Sequence, residues 1–135
     1  MIIVDKSVVG PWIAERCNMV WTPENSTAIG LEKNGELVAG VWYEDFNGRS
    51  ITCHIAIEKQ MTKSFLAFIF HYPYIQLGVE KIIAPVMSSN EKSIRLVSNM
   101  GFQKEAQLLD VFPDDDLLFF VLTKDKCRFL GESNG

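Results

Sequence analysis

Two Asn-Gly pairs, Asn34-Gly35 and Asn47-Gly48, each lie between apolar runs, and they restrict the fold more than any other feature of the chain. Asn-Gly suits the positive φ angles of a type I′ turn, whose twist matches that of paired antiparallel strands. The runs over residues 28–33, 37–46 and 51–57 are therefore expected to form a three-stranded antiparallel meander.

The rest of the chain reads as helices and strands around that meander. Met1 to Val4 is a short apolar run and a first strand. A helix opening at Ser7 or Gly10 and running through Cys17 follows, with Pro11 accommodated in its first turn. Residues 18–26 have loop composition. Residues 62–76 have helix length, and Phe65, Leu66, Ile69, Phe70 and Tyr72 cover more than one face, as in a helix set deep against a sheet. Pro73 should kink or end it. Residues 81–87 (KIIAPVM) read as a buried strand. Ser88 and Glu91 have capping-box spacing, and Ile94, Leu96, Val97 and Met100 form the apolar face of a further helix. Gly101-Phe102 supplies a Schellman stop. Strands over 103–112 and 117–123 flank the turn-rich Pro113-Asp114-Asp115-Asp116.

The resulting order is β-α-β-β-β-α-β-α-β-β. A helical crossover from the third meander strand to residues 81–87 makes those two strands parallel neighbours, and the remaining pairs are antiparallel. The expected class is α/β (α+β), a mixed, mostly antiparallel sheet flanked by helices. With 135 residues, the length suits one domain over residues 1–130, followed by a polar, frayed tail over 131–135. The net charge of −4 argues against non-specific binding to nucleic acid or to anionic membranes, which want a basic field. Cys17, Cys53 and Cys127 show neither CxxC nor paired Cys/His spacing, so no metal site and no disulfide framework is expected. Reduced thiols in a cytoplasmic protein are the simplest reading. No basic segment followed by a long apolar run opens the chain, and the apolar stretch 65–77 is too short to span a bilayer.

This order, together with Asn90, Ser93, Leu96 and Gly101-Phe102, resembles the GNAT acetyltransferase superfamily, whose corresponding helix reads N-x-x-A-x-x-L-Y-x-x-x-G-F. A narrower likeness, to small acetyltransferase-like proteins encoded by tailed phages, is carried by His54–Ala56, residues 70–79 (FHYPYIQLGV) and residues 127–130 (CRFL). The superfamily resemblance implies acetyl-CoA as co-substrate. It implies two parallel strands splayed by a bulge in the first, with pantetheine on the backbone of Ile55, Ala56 and Ile57. The loop Lys59, Gln60, Met61, Thr62, Lys63 and Ser64 would face the pyrophosphate, with Asn90 and Ser93 contacting the cofactor from the following helix. Two departures stand out. The family loop is glycine-rich and this one has no glycine, which makes a poorer phosphate nest. Val97 stands where the family carries a tyrosine that protonates the leaving thiolate.

Acetyl transfer to an amine needs a base for the amine, a donor for the thioester carbonyl and a proton for the thiolate. His54 is a candidate base because histidine titrates near neutrality. Strand alternation puts it on the same face as Glu58, a second candidate. The plainer reading of His54 is a half-buried ring bonded to backbone. Tyr72 could replace the missing tyrosine as acid, although a packed core aromatic is the commoner role. Glu44 and Asp45 could attract a cationic amine or be a solvated hairpin end. The expected activity is N-acetyl transfer to an amine, on a small molecule or a protein, with a homodimer as the default assembly. A fold relative without catalysis, acting as a phage structural or host-interacting protein, is the alternative.

Overall fold

A computed structural model of the chain describes residues 1–130, so the tail expected over 131–135 lies outside the described residues. The strands are β1 (Ile2–Ile3), β2 (Thr27–Lys33), β3 (Glu36–Glu44), β4 (Ser50–Ile57), β5 (Lys81–Met87), β6 (Gln103–Phe112) and β7 (Asp115–Thr123). The helices are α1 (Lys6–Arg16), α2 (Lys63–His71) and α3 (Glu91–Asn99). The strands form one sheet in the order β1-β2-β3-β4-β5-β7-β6. Only β4 and β5 are parallel; every other pair is antiparallel. The α/β class, the order of elements and the single parallel pair are those expected from the sequence.

The first Asn-Gly pair makes the predicted turn, with φ of 54° at Asn34 and 81° at Gly35. The second does not. The left-handed residues there are Asp45 and Gly48, and the Asn47 carboxamide oxygen accepts from Arg49 N and Ser50 N at 2.9 and 2.8 Å. The side chain of Asn47 thus closes a longer loop as an Asx turn instead of turning the backbone in two residues.

Two helix starts differ from expectation, and the end of α2 follows it. α1 is capped by Asp5, which accepts from Ser7 N at 3.0 Å, and Pro11 sits inside the helix instead of in its first turn. Val9, Ile13 and Ala14, buried against the sheet, hold the helix together across the missing N–H of Pro11. α2 passes at Tyr72 into a wider turn over Tyr72–Gln76, where Leu77 N donates to Tyr72 O at 3.1 Å. Pro73 stands at that change, so the predicted kink takes the form of a π-turn. α3 is capped by Asn90 accepting from Ser93 N at 3.1 Å, because Ser88 is committed to Asp115. The Schellman stop is as predicted: Phe102 N donates to Val97 O at 3.0 Å, Gly101 N to Ser98 O at 3.1 Å, and Gly101 has φ of 104°.

The central strands are covered on both faces, whereas β6 is exposed along nearly its whole length. α1 covers one with Val9 and Ile13 against Ala28, Trp42 and Ala56. α2 and α3 cover the other, where Phe65, Ile69, Phe70 and Val97 pack with Val41, Tyr43, Cys53, Ile55 and Ile82. Under α1 the sheet is smoothed by glycine. A Cβ on Gly40 would lie 2.9 Å from Ile13 Cδ1, and one on Gly30 would lie 2.9 Å from Val9. Gly40→Val is therefore expected to lower stability by about 1–3 kcal/mol through overpacking. Urea unfolding at neutral pH checks this, and an unchanged midpoint would mean that α1 is not seated on that glycine.

Candidate active site

β4 and β5 begin as a regular parallel pair and then separate. Their pairing covers Ser50↔Lys81, Ile51↔Ile82 and Thr52↔Ile83 and stops there, although β4 continues to Ile57 and β5 to Met87. β5 stays paired with β7 along its whole length. Bonds at the strand ends fix which way the backbone of β5 points. Glu80 O accepts from Lys124 N and Ser88 N donates to Asp116 O, so even-numbered residues face β7 and odd-numbered ones face β4. The next residue due to donate to β4 after Ile83 is Pro85, which has no N–H. The ladder ends where its donor is missing.

The resemblance implied a bulge in the first strand as the cause of the splay. β4 carries none, since its register with β3 runs unbroken from Ala39↔Ile57 to Glu44↔Thr52. Here the interruption lies in the second strand, at Pro85.

The same alternation orients β4. Glu58 N donates to Val38 O at 2.7 Å, which places the even residues of β4 in bonds to β3 and turns the N–H and C=O of Ile55 and Ile57 toward the gap. Cys17 Sγ, at the end of α1, donates to Ile55 O at 3.8 Å. Ala56 directs its backbone to Gly40 and its methyl to α1, so of the three residues expected to offer backbone groups, two do. The wedge is hollow. A cavity of about 560 Å³ runs from Glu44, His54 and Ile55 to Val86, Met87, Asn90 and Val97. A smaller one of about 120 Å³ continues from Ile55, Asn90 and Ser93 to Arg16, Glu58 and Lys92. Phe65 is fully buried in the core and Met87 lines the wall, so neither fills the space.

His54 is 5% exposed and its Nε2 lies 2.5 Å from Glu44 Oε2. Its ring lies against Trp42, with centroids 4.9 Å apart, and Trp42 Nε1 donates to Ser26 Oγ at 3.0 Å. Trp21 packs edge-on to Trp42 and occupies the space that a Cβ on Gly10 would need. The plainer expectation, a histidine bonded to backbone, is replaced by a His–Glu pair on an aromatic support. Glu58 does not join it. Glu58 Oε2 lies 3.7 Å from Arg16 Nε and 3.9 Å from Lys92 Nζ in the smaller cavity. Tyr72 does not line the wedge; its hydroxyl donates to Thr27 Oγ1 at 3.2 Å beside another cavity.

The loop after β4 has other commitments. Glu58 N and Lys59 N share Val38 O, and Gln60 O accepts from Lys33 Nζ at 3.0 Å. Met61 packs on the core, and Thr62 caps α2 by accepting from Phe65 N at 3.1 Å. Lys63 and Ser64 are exposed in the first turn of α2, where backbone N–H groups have no intrahelical acceptor. Asn90 and Ser93, at the start of α3, line both cavities. Sequence reasoning missed Arg16 and Lys92, which bring positive charge to the outer end of the wedge. It also left the partner of His54 unassigned. Burial raises the Cys17 thiol to about 11 and pushes Cys53 up further, so both stay protonated at neutral pH.

The turn that carries Asn90 is pinned from β7. Asp115 accepts from the Ser88 and Ser89 hydroxyls, from Ser89 N at 3.0 Å and from Asp116 N at 3.0 Å. The hydroxyl donors, led by Ser88, hold its carboxyl below the usual carboxylate range. A depressed folded-state value stabilises the fold above the unfolded pKa, and that contribution is lost as pH falls through the folded one. Asp115→Asn is expected to lower the urea midpoint at pH 7, with the gap to wild type closing as pH drops through the carboxylate range. A gap independent of pH would contradict the assignment. For the wedge, the amide introduced by Pro85→Ala is expected to exchange slowly with solvent because it completes a rung to β4. Exchange at the solvent-exposed rate would show that Pro85 does not end the ladder.

Among the described residues there is no cluster of three or more His, Cys, Asp or Glu side chains placed to hold a metal, and no helix long and apolar enough to cross a membrane. A family model described as an acetyltransferase (GNAT) domain matches residues 12–115. No curated protein matches by sequence. Among solved structures, mutant forms of the spermidine/spermine N-acetyltransferase SpeG from Vibrio cholerae superpose with a TM-score of 0.75 at 18% identity, covering 98% of each chain. A chimera of Vibrio cholerae SpeG and hSSAT superposes with a TM-score of 0.65 at 21% identity, over 81% of this chain and 73% of that one. At such identities the likeness concerns the fold.

Proposed function

This chain belongs to the GNAT acetyltransferase family, and we propose that it moves an acetyl group from acetyl-CoA to an amine. The observation that carries this reading is the open wedge at Pro85, with the backbone groups of Ile55 and Ile57 turned into it. The pantetheine amides would pair with them as an added half-strand does. The pyrophosphate would lie at the outer end, near Arg16, Lys92 and the first turn of α2 with Lys63 and Ser64. Lys59, Gln60, Met61 and Thr62 would shape that end without cradling phosphate. Asn90 and Ser93 would border the arm from α3. Residues 1–130 act as one unit in this reading.

The amine nitrogen attacks the thioester carbon, the C–S bond breaks, and CoA leaves as a thiolate that takes up a proton. An N–H of Ile55, pointing into the wedge, would polarise the thioester oxygen. The proton lost by the amine passes to the His54–Glu44 pair, which lies in the same cavity. Glu58 belongs to the cofactor end in this assignment, and Tyr72 to the walls of the neighbouring cavity. Val97 presents only apolar surface, so water is the proton source for the thiolate. If the chain is phage-encoded, as the narrower likeness implies, the activity would take place in the host cytoplasm.

Two observations favour the second reading, a family member without catalysis that works by binding other proteins. The loop after β4 spends two N–H groups on Val38 O, and the family's acid is absent at Val97. Calorimetry with acetyl-CoA and CoA separates the two. The enzyme reading predicts micromolar binding, with His54→Ala and Glu44→Gln lowering kcat by about 10²–10⁴-fold while cofactor affinity is kept. No heat at millimolar cofactor would favour the binding protein, and unchanged turnover in both variants would remove the pair as the base.

A further inference from the structure

Strand alternation gives the wedge two unlike sides. On β4, Cys53 and Ile55 point into the core under α2 and α3, whereas His54 points to the side of α1, where its ring meets Trp42. On β5 and β7, Ala84, Val86, Leu118 and Phe120 join that core. Pro85, Met87, Leu117 and Phe119 therefore point to the side of α1, and all four are half-buried. α1 lies over β2, β3 and β4, packing on Ala28, Trp42 and Ala56, and stops short of them. Pro85 pairs with Phe119 and Phe119 with Ala106, while Met87 pairs with Leu117 and Leu117 with Leu108. Two cross-strand rows thus make an apolar platform over three strands.

The platform is continuous with the candidate active site. Its β5 and β7 residues line the same cavity as His54, Glu44 and Asp45. Met19 and Val20, both exposed, add apolar surface from the segment after α1. From this arrangement we infer that the acceptor is a monoamine with an apolar body of several carbons. Its nitrogen sits at the His54–Glu44 pair, and its carbon skeleton lies along Pro85, Phe119 and Leu117. The inference rests on the acetyltransferase reading above and specifies its acceptor. The carboxylates hold one ammonium, and covering the platform removes apolar surface of both partners from water. A polar body would give up its hydration against side chains with no hydrogen bond to offer.

The test compares n-hexylamine with 5-amino-1-pentanol, which has the same length and reacting group and ends in a hydroxyl, at saturating acetyl-CoA. The alkylamine is expected to show a kcat/KM at least tenfold higher, expressed in KM. The ratio should not change with added salt, because both amines carry one charge. In Phe119→Thr and in Leu117→Asn it should fall toward one. Equal use of the two amines, a preference that survives both substitutions, or acetyl-CoA binding with neither amine acetylated would each overturn the inference while leaving cofactor binding in place. A dimer in sedimentation that both substitutions dissociate would also overturn it, by assigning the platform to a second copy. Absence of acetyl-CoA binding would instead remove the acetyltransferase reading and this inference with it.

Discussion

One missing backbone donor organises the molecule. β5 is held to β7 over its full length and to β4 over only three residues, and the change falls where Pro85 cannot extend the ladder. A central strand that loses one neighbour while keeping the other leaves polar groups of β4 facing a gap inside the sheet. Unpaired backbone groups in such a place are costly unless something bonds to them. The wedge is therefore a local defect whose exposed backbone groups suit pairing with an extended chain bearing amides.

The side chains around it are arranged by elements that have other structural work. α1 lies flat on Gly30 and Gly40 and ends at Cys17, which brings that thiol and Arg16 to the wedge. The meander carries His54 and Glu44 on adjacent strands, two positions off direct register, so the carboxylate reaches the imidazole along one face of the sheet. Trp42, opposite His54, supports the ring, and Trp21 supports Trp42. On the far side, Asp115 gathers Ser88 and Ser89 and so fixes where Asn90 begins α3. Arg16 and Lys92, with Glu58 between them, stand at one end of the wedge, and Glu44 and Asp45 line the other.

Much of the fold is legible in the sequence because its signals are local. Asn34-Gly35 sets a turn by φ alone, Gly101-Phe102 ends α3 through two short-range bonds, and the apolar runs have strand or helix length. The errors arise where a side chain has a better partner elsewhere. Ser88 reads as a cap until Asp115, distant in sequence, takes its hydroxyl. Asn47 reads as a turn residue until its carboxamide closes a longer loop. The pairing of His54 with Glu44, instead of Glu58, depends on the register of β3 against β4, which no local pattern encodes. Pro85 is the one informative signal left unread: a proline in the middle of KIIAPVM is foreign to a central strand and marks where pairing fails.

Ile55 and Ile57 turn backbone groups into the wedge, where a cofactor arm would bond to them. Amide hydrogen exchange, followed residue by residue with and without CoA, addresses this directly. The Ile55 and Ile57 amides are expected to exchange readily in the protein alone and to become strongly protected with CoA, while the β3-bonded Ala56 amide changes little. Slow exchange at Ile55 and Ile57 before CoA is added, or no added protection with it, would contradict the account.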